Sequence, residues 1–351
     1  MSKFLTEKFS AFEPYVPGEQ PQDKKYIKLN TNESPFPPSA FAVKLARESA
    51  TECFLYPDPE YNSLVSVAAE KFGVNKENLL FTNGSDEALN YAFSAYCQNK
   101  TAVFADITYG FYKVFSDLYG AKTKIIPLKD DFSIDADDYI NAGGTIFIAN
   151  PNAPTGKLLS VDEIIKIVKG NPQNVVVVDE AYIDFGGQSV LLFIKQYDNL
   201  IVVRTFSKSR SLAGARVGFA AANEKLINDL KIIKYSTNPY NMSKTSAAAA
   251  IGALIDQDYF NNNCSAIIEN RAFMTEGLKK AGFSVIDSSA NFVFAKYDGL
   301  SGKVVYERLK EKGVLVRYFD KARISDYVRI TVGSIDECKA LVSAAQSIIK
   351  E

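Results

Sequence analysis

The chain of 351 residues contains no histidine. That absence excludes Ser-His-Asp hydrolysis, histidine-dependent metal sites and imidazole acid–base work. Catalysis here has to run on Lys, Asp, Glu, Tyr, Cys, Ser or backbone groups. Cysteine is sparse. Cys53, Cys97, Cys264 and Cys338 stand far apart with no Cys-x-x-Cys pair, so neither a metal cluster nor a disulfide framework is expected, and free thiols in a reducing compartment fit best. No apolar run approaches the roughly 18 residues of a membrane span. The opening Met1-Ser-Lys-Phe-Leu-Thr-Glu-Lys8 lacks the apolar core of a signal peptide, and a cytoplasmic protein is expected. An excess of either charge is also missing. Lys plus Arg number 40 against 41 Asp plus Glu, a net charge of -1, which gives no general pull toward nucleic acid or an anionic membrane.

What is present is an ordinary globular composition, 47% hydrophobic and 23% charged. At roughly 150 residues per domain the length predicts about two domains. The first 40 residues are irregular and proline-rich, with Glu13-Pro-Tyr-Val-Pro-Gly18 and Asn30-Thr-Asn-Glu-Ser-Pro-Phe-Pro-Pro38. They read as an extended arm over a surface or a partner subunit. From about residue 79 short Val/Ile-rich runs alternate with helical periodicity. The runs are Ala102–Ala105, Lys124–Pro127, Thr145–Ala149, Val175–Val178, Leu200–Arg204 and Arg216–Ala221. They are apolar on both faces, as buried parallel strands are. The intervening helices are Asp86–Cys97, Phe111–Tyr119, Ser160–Lys169 and Glu224–Lys234. This is the pattern of a doubly wound α/β domain. Long helices at Lys244–Ile255 and Tyr259–Ala281 lead into a smaller α+β region, to which the arm is expected to return. The expected division is an arm over 1–40, a large domain over 41–255 and a small C-terminal domain over 256–351.

Ligands of open α/β sheets bind beyond the carboxyl ends of the strands, and the residues there are distinctive. Asn83-Gly-Ser-Asp-Glu87 opens a helix, which makes an anion site or a plain helix cap. Asp179-Glu-Ala-Tyr182 follows a buried strand, and a carboxylate there needs a cationic partner from the protein or a ligand. Lys208, in Thr205-Phe-Ser-Lys208, follows another strand among hydroxyls and small residues. Desolvation lowers the pKa of such a lysine, as a Schiff-base lysine requires. Thr205, Ser207 and Arg216 can hold a dianionic phosphate. Asn150-Pro-Asn-Ala-Pro-Thr-Gly156 is a rigid loop able to aim an amide into the crevice, and Asp106-Ile-Thr-Tyr109-Gly-Phe-Tyr112 offers an aromatic face. Each segment alone also has a purely structural explanation. Together they match the needs of pyridoxal 5′-phosphate: anion donors for its phosphate, a carboxylate for its ring nitrogen, Tyr and Asn for its 3-oxygen, and a lysine for its aldehyde.

In this order and spacing, these motifs resemble fold-type I aminotransferases and, more narrowly, the histidinol-phosphate aminotransferases. Tyr15-Val-Pro-Gly18, Leu29-Asn-Thr-Asn-Glu-Ser-Pro-Phe-Pro-Pro38, Tyr56-Pro-Asp-Pro59, Leu212-Ala-Gly-Ala-Arg-Val-Gly218 and Val328-Arg-Ile-Thr-Val-Gly333 add to the likeness, which covers essentially the whole chain. The resemblance implies a large domain with a mostly parallel sheet flanked by helices, a smaller α+β domain, and a homodimer with shared active sites. It implies that Lys208 binds the cofactor's aldehyde and moves the substrate's Cα proton. Asp179 pairs with the ring nitrogen, Tyr182 meets the 3-oxygen, and Tyr109 stacks on the ring. Ser85, Asp86, Thr205, Ser207 and Arg216 hold the phosphate, joined by Tyr56 from the neighbouring subunit. Arg329 and Arg317 bind substrate anions with help from Tyr15. The implied reaction converts histidinol phosphate and 2-oxoglutarate to imidazole-acetol phosphate and glutamate, in histidine biosynthesis.

Two positions depart from the family pattern. Ala153 stands before Pro154 where Asn is frequent, so Asn152 becomes the candidate for the ring contact. Arg210 stands where Phe is common. The competing activities are a threonine-phosphate decarboxylase, whose usual His-Gly-Gly segment is missing here, and an aromatic or broad-specificity aminotransferase. A non-catalytic cofactor-binding protein fits the intact Lys208 and Asp179 poorly.

Overall fold

The computed structural model describes residues 2–350. The arm contributes a two-residue strand, β1 (Ile27–Lys28), before the first long helix. The strands β2 (Leu79–Asn83), β3 (Thr101–Ala105), β4 (Lys122–Ile126), β5 (Thr145–Ala149), β6 (Val176–Asp179), β7 (Leu200–Thr205) and β8 (Val217–Ala222) form one sheet in the order β2-β8-β7-β6-β5-β3-β4. Both faces of its centre are buried, which explains the continuous apolar runs. Val176 and Val178 of β6 join one core, with Leu200 and Val202 of β7 and Ile146 and Ile148 of β5. Their alternate neighbours Val177, Ile201, Val203 and Phe147 join a second core on the other face.

Two of the runs read as buried parallel strands differ from that expectation. β8 pairs antiparallel with both β2 and β7. It returns directly from β7 through a short loop, and a short return leaves no room for the crossover that parallel pairing needs. β4 is parallel but lies at the sheet edge, with Lys122, Lys124 and Ile125 exposed. Two helices lie where none was expected, at Ala40–Ala50 and Asn62–Phe72. The first begins directly after the proline-rich run, where the Ser39 side chain accepts from the backbone N–H of Ala42, a standard start signal.

The C-terminal region has its own sheet and core. β9 (Ser284–Ile286), β10 (Phe292–Lys296), β12 (Arg317–Tyr318) and β13 (Tyr327–Thr331) form an antiparallel sheet in the order β12-β13-β10-β9. Val293, Ala295, Val328 and Ile330 pack there with Ile267, Met274 and Leu278 of the long helix Gln257–Lys280, and with Leu341 and Ala345 of the last helix. β11 (Val314–Leu315) pairs in parallel with β1 of the arm, and β12 then joins the other sheet. The arm thus reaches the C-terminal region, and its Leu29 lies in that region's core. Among the described residues no helix is long and apolar enough to cross a membrane, and no group of acidic or cysteine side chains could hold a metal.

Candidate active site

The carboxyl ends of β5, β6 and β7, the start of the helix Ser85–Cys97, the arm and β13 enclose a cavity of about 380 Å³. At one end, Gly84 adopts φ +80 and precedes a helix start with no side-chain cap, so the first helical N–H groups are free to face an anion. The left-handed backbone disfavours a side chain at this turn, and a Cβ on Gly84 would lie 2.4 Å from Nη2 of Arg216, which would have to swing away. Arg216 donates to Ser207 Oγ at 3.3 Å and to Asp86 Oδ2 at 3.3 Å, and Thr205 donates to Ser207 Oγ at 3.0 Å. The Tyr109 hydroxyl donates to Asp86 Oδ1 at 2.7 Å. Both Asp86 oxygens are therefore engaged. Its carboxylate would repel a phosphate, so of its polar groups only the backbone N–H suits an anion.

Deeper in the cavity Asp179, at the end of β6, is only 5% exposed. It accepts from the Tyr112 hydroxyl at 3.1 Å and from the Ala181 N–H at 3.2 Å. Burial pushes its pKa up to about 7, against the pull of those two donors. A carboxyl poised there becomes a firm anion once a cation stands opposite. The Lys208 Nζ donates to the backbone oxygen of Thr31 at 3.3 Å. Burial, with Arg329 nearby, lowers its pKa to about 8, which makes it a usable base near neutrality. The Tyr182 hydroxyl accepts from Asn32 Nδ2 at 3.0 Å, and burial raises its pKa.

At the mouth, Arg329 and Arg317 face each other across the β12–β13 pair. Arg329 donates through Nη2 to the Asn30 oxygen at 3.0 Å, while its buried Nε has no partner. Arg317 is differently engaged, with Nη1 and Nη2 donating to the oxygens of Pro17 and Val16 at 3.0 and 2.9 Å. Tyr15, next along the arm, stacks on Phe111 at 4.2 Å and lies 6.4 Å from the Tyr109 ring.

A family model for class I and II aminotransferases matches residues 24–344. The chain belongs to this family. It is 47% identical over 353 residues to the histidinol-phosphate aminotransferase of Brachyspira hyodysenteriae, covering 100% of both chains. It is 44% identical to that of Clostridium acetobutylicum, covering 99% of this chain and 100% of the relative. Among solved structures, the histidinol-phosphate aminotransferase of Sinorhizobium meliloti, in complex with pyridoxal-5′-phosphate, superposes with a TM-score of 0.91 at 24% identity. That superposition covers 100% of this chain and 98% of the other and establishes the fold-type I architecture.

As an aminotransferase of this family the chain brings most of its expected site residues to one cavity. Ser85, Asp86, Tyr109, Asp179, Tyr182, Thr205, Ser207, Lys208, Arg216, Arg317, Arg329 and Tyr15 all line it. Asn152 does not. Its Nδ2 donates to the Ile107 oxygen and to Thr155 Oγ1, both at 3.0 Å, and its Oδ1 is buried without a partner. The amide nitrogen is divided between its own loop and the loop after β3, and it is Ala153 that reaches the cavity wall. Tyr56 is 78% exposed and stacks on Tyr240 at 4.7 Å, outside the cavity of its own subunit. Arg210 is a packing and tethering residue. It is 9% exposed, donates to the Ala253 oxygen at 2.6 Å and sits over the Phe260 ring at 4.1 Å. There it ties the Lys208 loop to the two long helices.

Sequence reasoning missed Tyr112 and Asn32. Tyr112 stands in the first turn of the helix Phe111–Leu118, at the end of the quoted aromatic motif, so its place beyond a strand was a usable signal. Asn32 lay inside a quoted motif, but nothing local tied it to Tyr182, 150 residues away.

The donor set fits pyridoxal phosphate. An uncapped helix start, two hydroxyls and Arg216 sit at one end, with a buried carboxylate and a desolvated lysine beyond. The orphaned Nε of Arg329 is a donor still seeking an anion.

Proposed function

We propose that this aminotransferase exchanges the amino group of histidinol phosphate with 2-oxoglutarate, giving imidazole-acetol phosphate and glutamate, with pyridoxal 5′-phosphate as cofactor. The observation that carries this reading is the pairing of a half-buried Lys208, its pKa lowered to about 8, with the buried Asp179 carboxylate in one cavity. The 47% identity to a histidinol-phosphate aminotransferase along the whole chain supports the substrate. The bound cofactor supplies an aldehyde for the substrate amine and a ring that takes up electron density from Cα.

The rest falls to the protein. Ser85, Ser207, Thr205, Arg216 and the free N–H groups after Gly84 bind the phosphate. Asp179 accepts the ring N–H and keeps that proton on nitrogen. Tyr182 directs its hydroxyl toward the 3-oxygen, and Tyr109 covers the ring. Lys208 would take the proton from the substrate's Cα and pass it, on the same face, to the carbon that carried the cofactor's aldehyde. Its lowered pKa leaves part of the population unprotonated near neutrality. Arg329 binds the substrate's phosphate in one half-reaction and a carboxylate in the other, a task suited to a guanidinium. Arg317 holds the arm and Tyr15 over the mouth.

The working form in this reading is a cytoplasmic homodimer in which Tyr56 completes the phosphate site of the partner subunit. The exposed cluster of Phe54, Leu55, Tyr56 and Tyr240 supports a covered surface there. Single-turnover conversion of the cofactor to its amine form tests the substrate, using histidinol phosphate, histidinol, glutamate and phosphothreonine as donors. Histidinol phosphate and glutamate are expected to react. Equal rates for histidinol and its phosphate would refute the phosphate anchor, and carbon dioxide release from phosphothreonine would replace the reading with a decarboxylase.

A further inference from the structure

A hydroxyl carries one proton and two acceptor sites, so the direction in which Tyr182 donates depends on what its other partners are. In fixing that direction the structure departs from the motif the chain resembles. The loop position before Pro154 is alanine, Asn152 donates to Ile107 and Thr155, and among the described residues the amide that meets the Tyr182 hydroxyl belongs to Asn32 of the arm.

The orientation of that amide is set from behind. Asn32 is 1% exposed and adopts φ +56. Its backbone N–H donates to Thr331 Oγ1 at 3.0 Å, and Thr331 donates to Asn32 Oδ1 at 3.0 Å. Asn291 Nδ2 donates to the Asn32 backbone oxygen at 3.0 Å. With Oδ1 taken up by the Thr331 proton, Nδ2 is the end that faces Tyr182. Tyr182 is thereby an acceptor toward the arm, and its own proton is released toward the cavity. We propose that Asn32 is a positioning residue that aims the Tyr182 hydroxyl proton into the cavity, at the 3-oxygen of the bound cofactor. This role depends on the pyridoxal phosphate reading of the site. It also means that the arm, through Asn32, and β13, through Thr331, must both be seated before Tyr182 is correctly polarised.

The test reads the pH midpoint of the visible absorbance of the cofactor-loaded protein. Donation to the 3-oxygen stabilises the more negative form, so losing it moves the midpoint up. Tyr182→Phe removes the donor, and a rise of about one pH unit is expected, the size of a single hydrogen bond. Asn32→Gly suits the left-handed backbone and keeps the backbone hydrogen bonds. It leaves the hydroxyl undirected, with a smaller rise expected. Asn32→Asp reverses the polarity, so that Tyr182 donates to the arm, and the full rise is expected. The charged groups facing Tyr182 are Arg329, Asp179, Asp86 and Lys208, and all remain in every variant. In the Tyr182→Phe background neither Asn32 substitution is expected to move the midpoint further. A shift that persists in that background reflects charge or misfolding and overturns the role, as does a parental midpoint in Asn32→Gly and Asn32→Asp. A parent protein that develops no visible band on loading refutes the cofactor reading instead, so the two failures are distinct.

Discussion

Asp179→Asn separates the cost of the site from its use. In the cofactor-free protein the Asp179 carboxyl has a pKa near 7, raised from 3.8 by burial. A group whose folded pKa lies above its unfolded value stabilises the fold below the unfolded pKa, and that contribution is lost as pH rises through the folded pKa. At 1.36 kcal/mol per unit, a rise of about three units corresponds to about 4 kcal/mol, lost between about pH 4 and pH 7. Set against a typical total of about 5–15 kcal/mol, this is a large penalty on one residue. Asparagine has similar size and no charge, so the variant does not suffer the loss. Urea denaturation of both cofactor-free proteins from pH 5 to pH 8 measures it. The other carboxylates titrate alike in both proteins and cancel in the difference. The variant is expected to gain on the parent as pH rises, by a few kcal/mol. With cofactor bound the order reverses, because the carboxylate then faces a ring N–H that the amide cannot hold as strongly. Parallel pH profiles for the two cofactor-free proteins would show that Asp179 is not desolvated as described, and the reasoning would fail.

Lys208→Ala is expected to retain cofactor through the phosphate donors but to show no turnover, measured by single-turnover absorbance and by borohydride labelling, which should mark Lys208 in the parent alone. Tyr56→Phe removes one hydrogen bond to a charged phosphate, worth about 1.5–3 kcal/mol. Mixing it with Lys208→Ala is expected to produce dimers with one intact site and a partial recovery of activity, whereas no recovery on mixing refutes sharing between subunits. Arg329→Ala is expected to raise KM about 10- to 100-fold for both histidinol phosphate and glutamate, by loss of a charged hydrogen-bond donor. Arg317→Ala is expected to act through the arm, raising KM for both substrates and exposing the Val16–Pro17 segment to limited proteolysis.

How legible the protein was in its sequence follows from how local each signal is. The central strands were plain because β5, β6 and β7 are buried on both faces and therefore read as unbroken apolar runs. The residues just past their ends, Asp179 and Lys208, stood out because a charge directly after such a run needs a reason. The direction of β8 was not legible, since a Val/Ala-rich run looks the same in either direction. The helix Ala40–Ala50 was hidden by the prolines before it, although Ser39 marks its start. Asn152 failed for a different reason. Its place in the motif was read correctly, but which way its amide turns depends on the Ile107 oxygen of a distant loop. The side-chain partners of Asp179 and Tyr182, Tyr112 and Asn32, lie 67 and 150 residues away along the chain, and no local pattern announces the pairings.

The two arginines at the mouth show how the fold divides labour between similar residues. Like charges placed directly across an antiparallel pair repel, and Arg317 and Arg329 are such a pair. The structure tolerates them because each guanidinium is drawn to separate acceptors. Arg317 is committed to the carbonyls of Val16 and Pro17, and Arg329 to the carbonyl of Asn30. Both lie over the Phe319 ring, at 5.5 and 5.6 Å, a favourable contact for a cation. Neither meets a carboxylate within ion-pair distance among the described residues. Burial and the neighbouring Arg317 both press the Arg329 pKa down, and an incoming anion relieves both at once. In the proposed reaction, the charge that closes this part of the structure is the substrate's own. In that reading the arm, which supplies all three carbonyls that hold these guanidiniums, belongs to the binding site as much as the strands do.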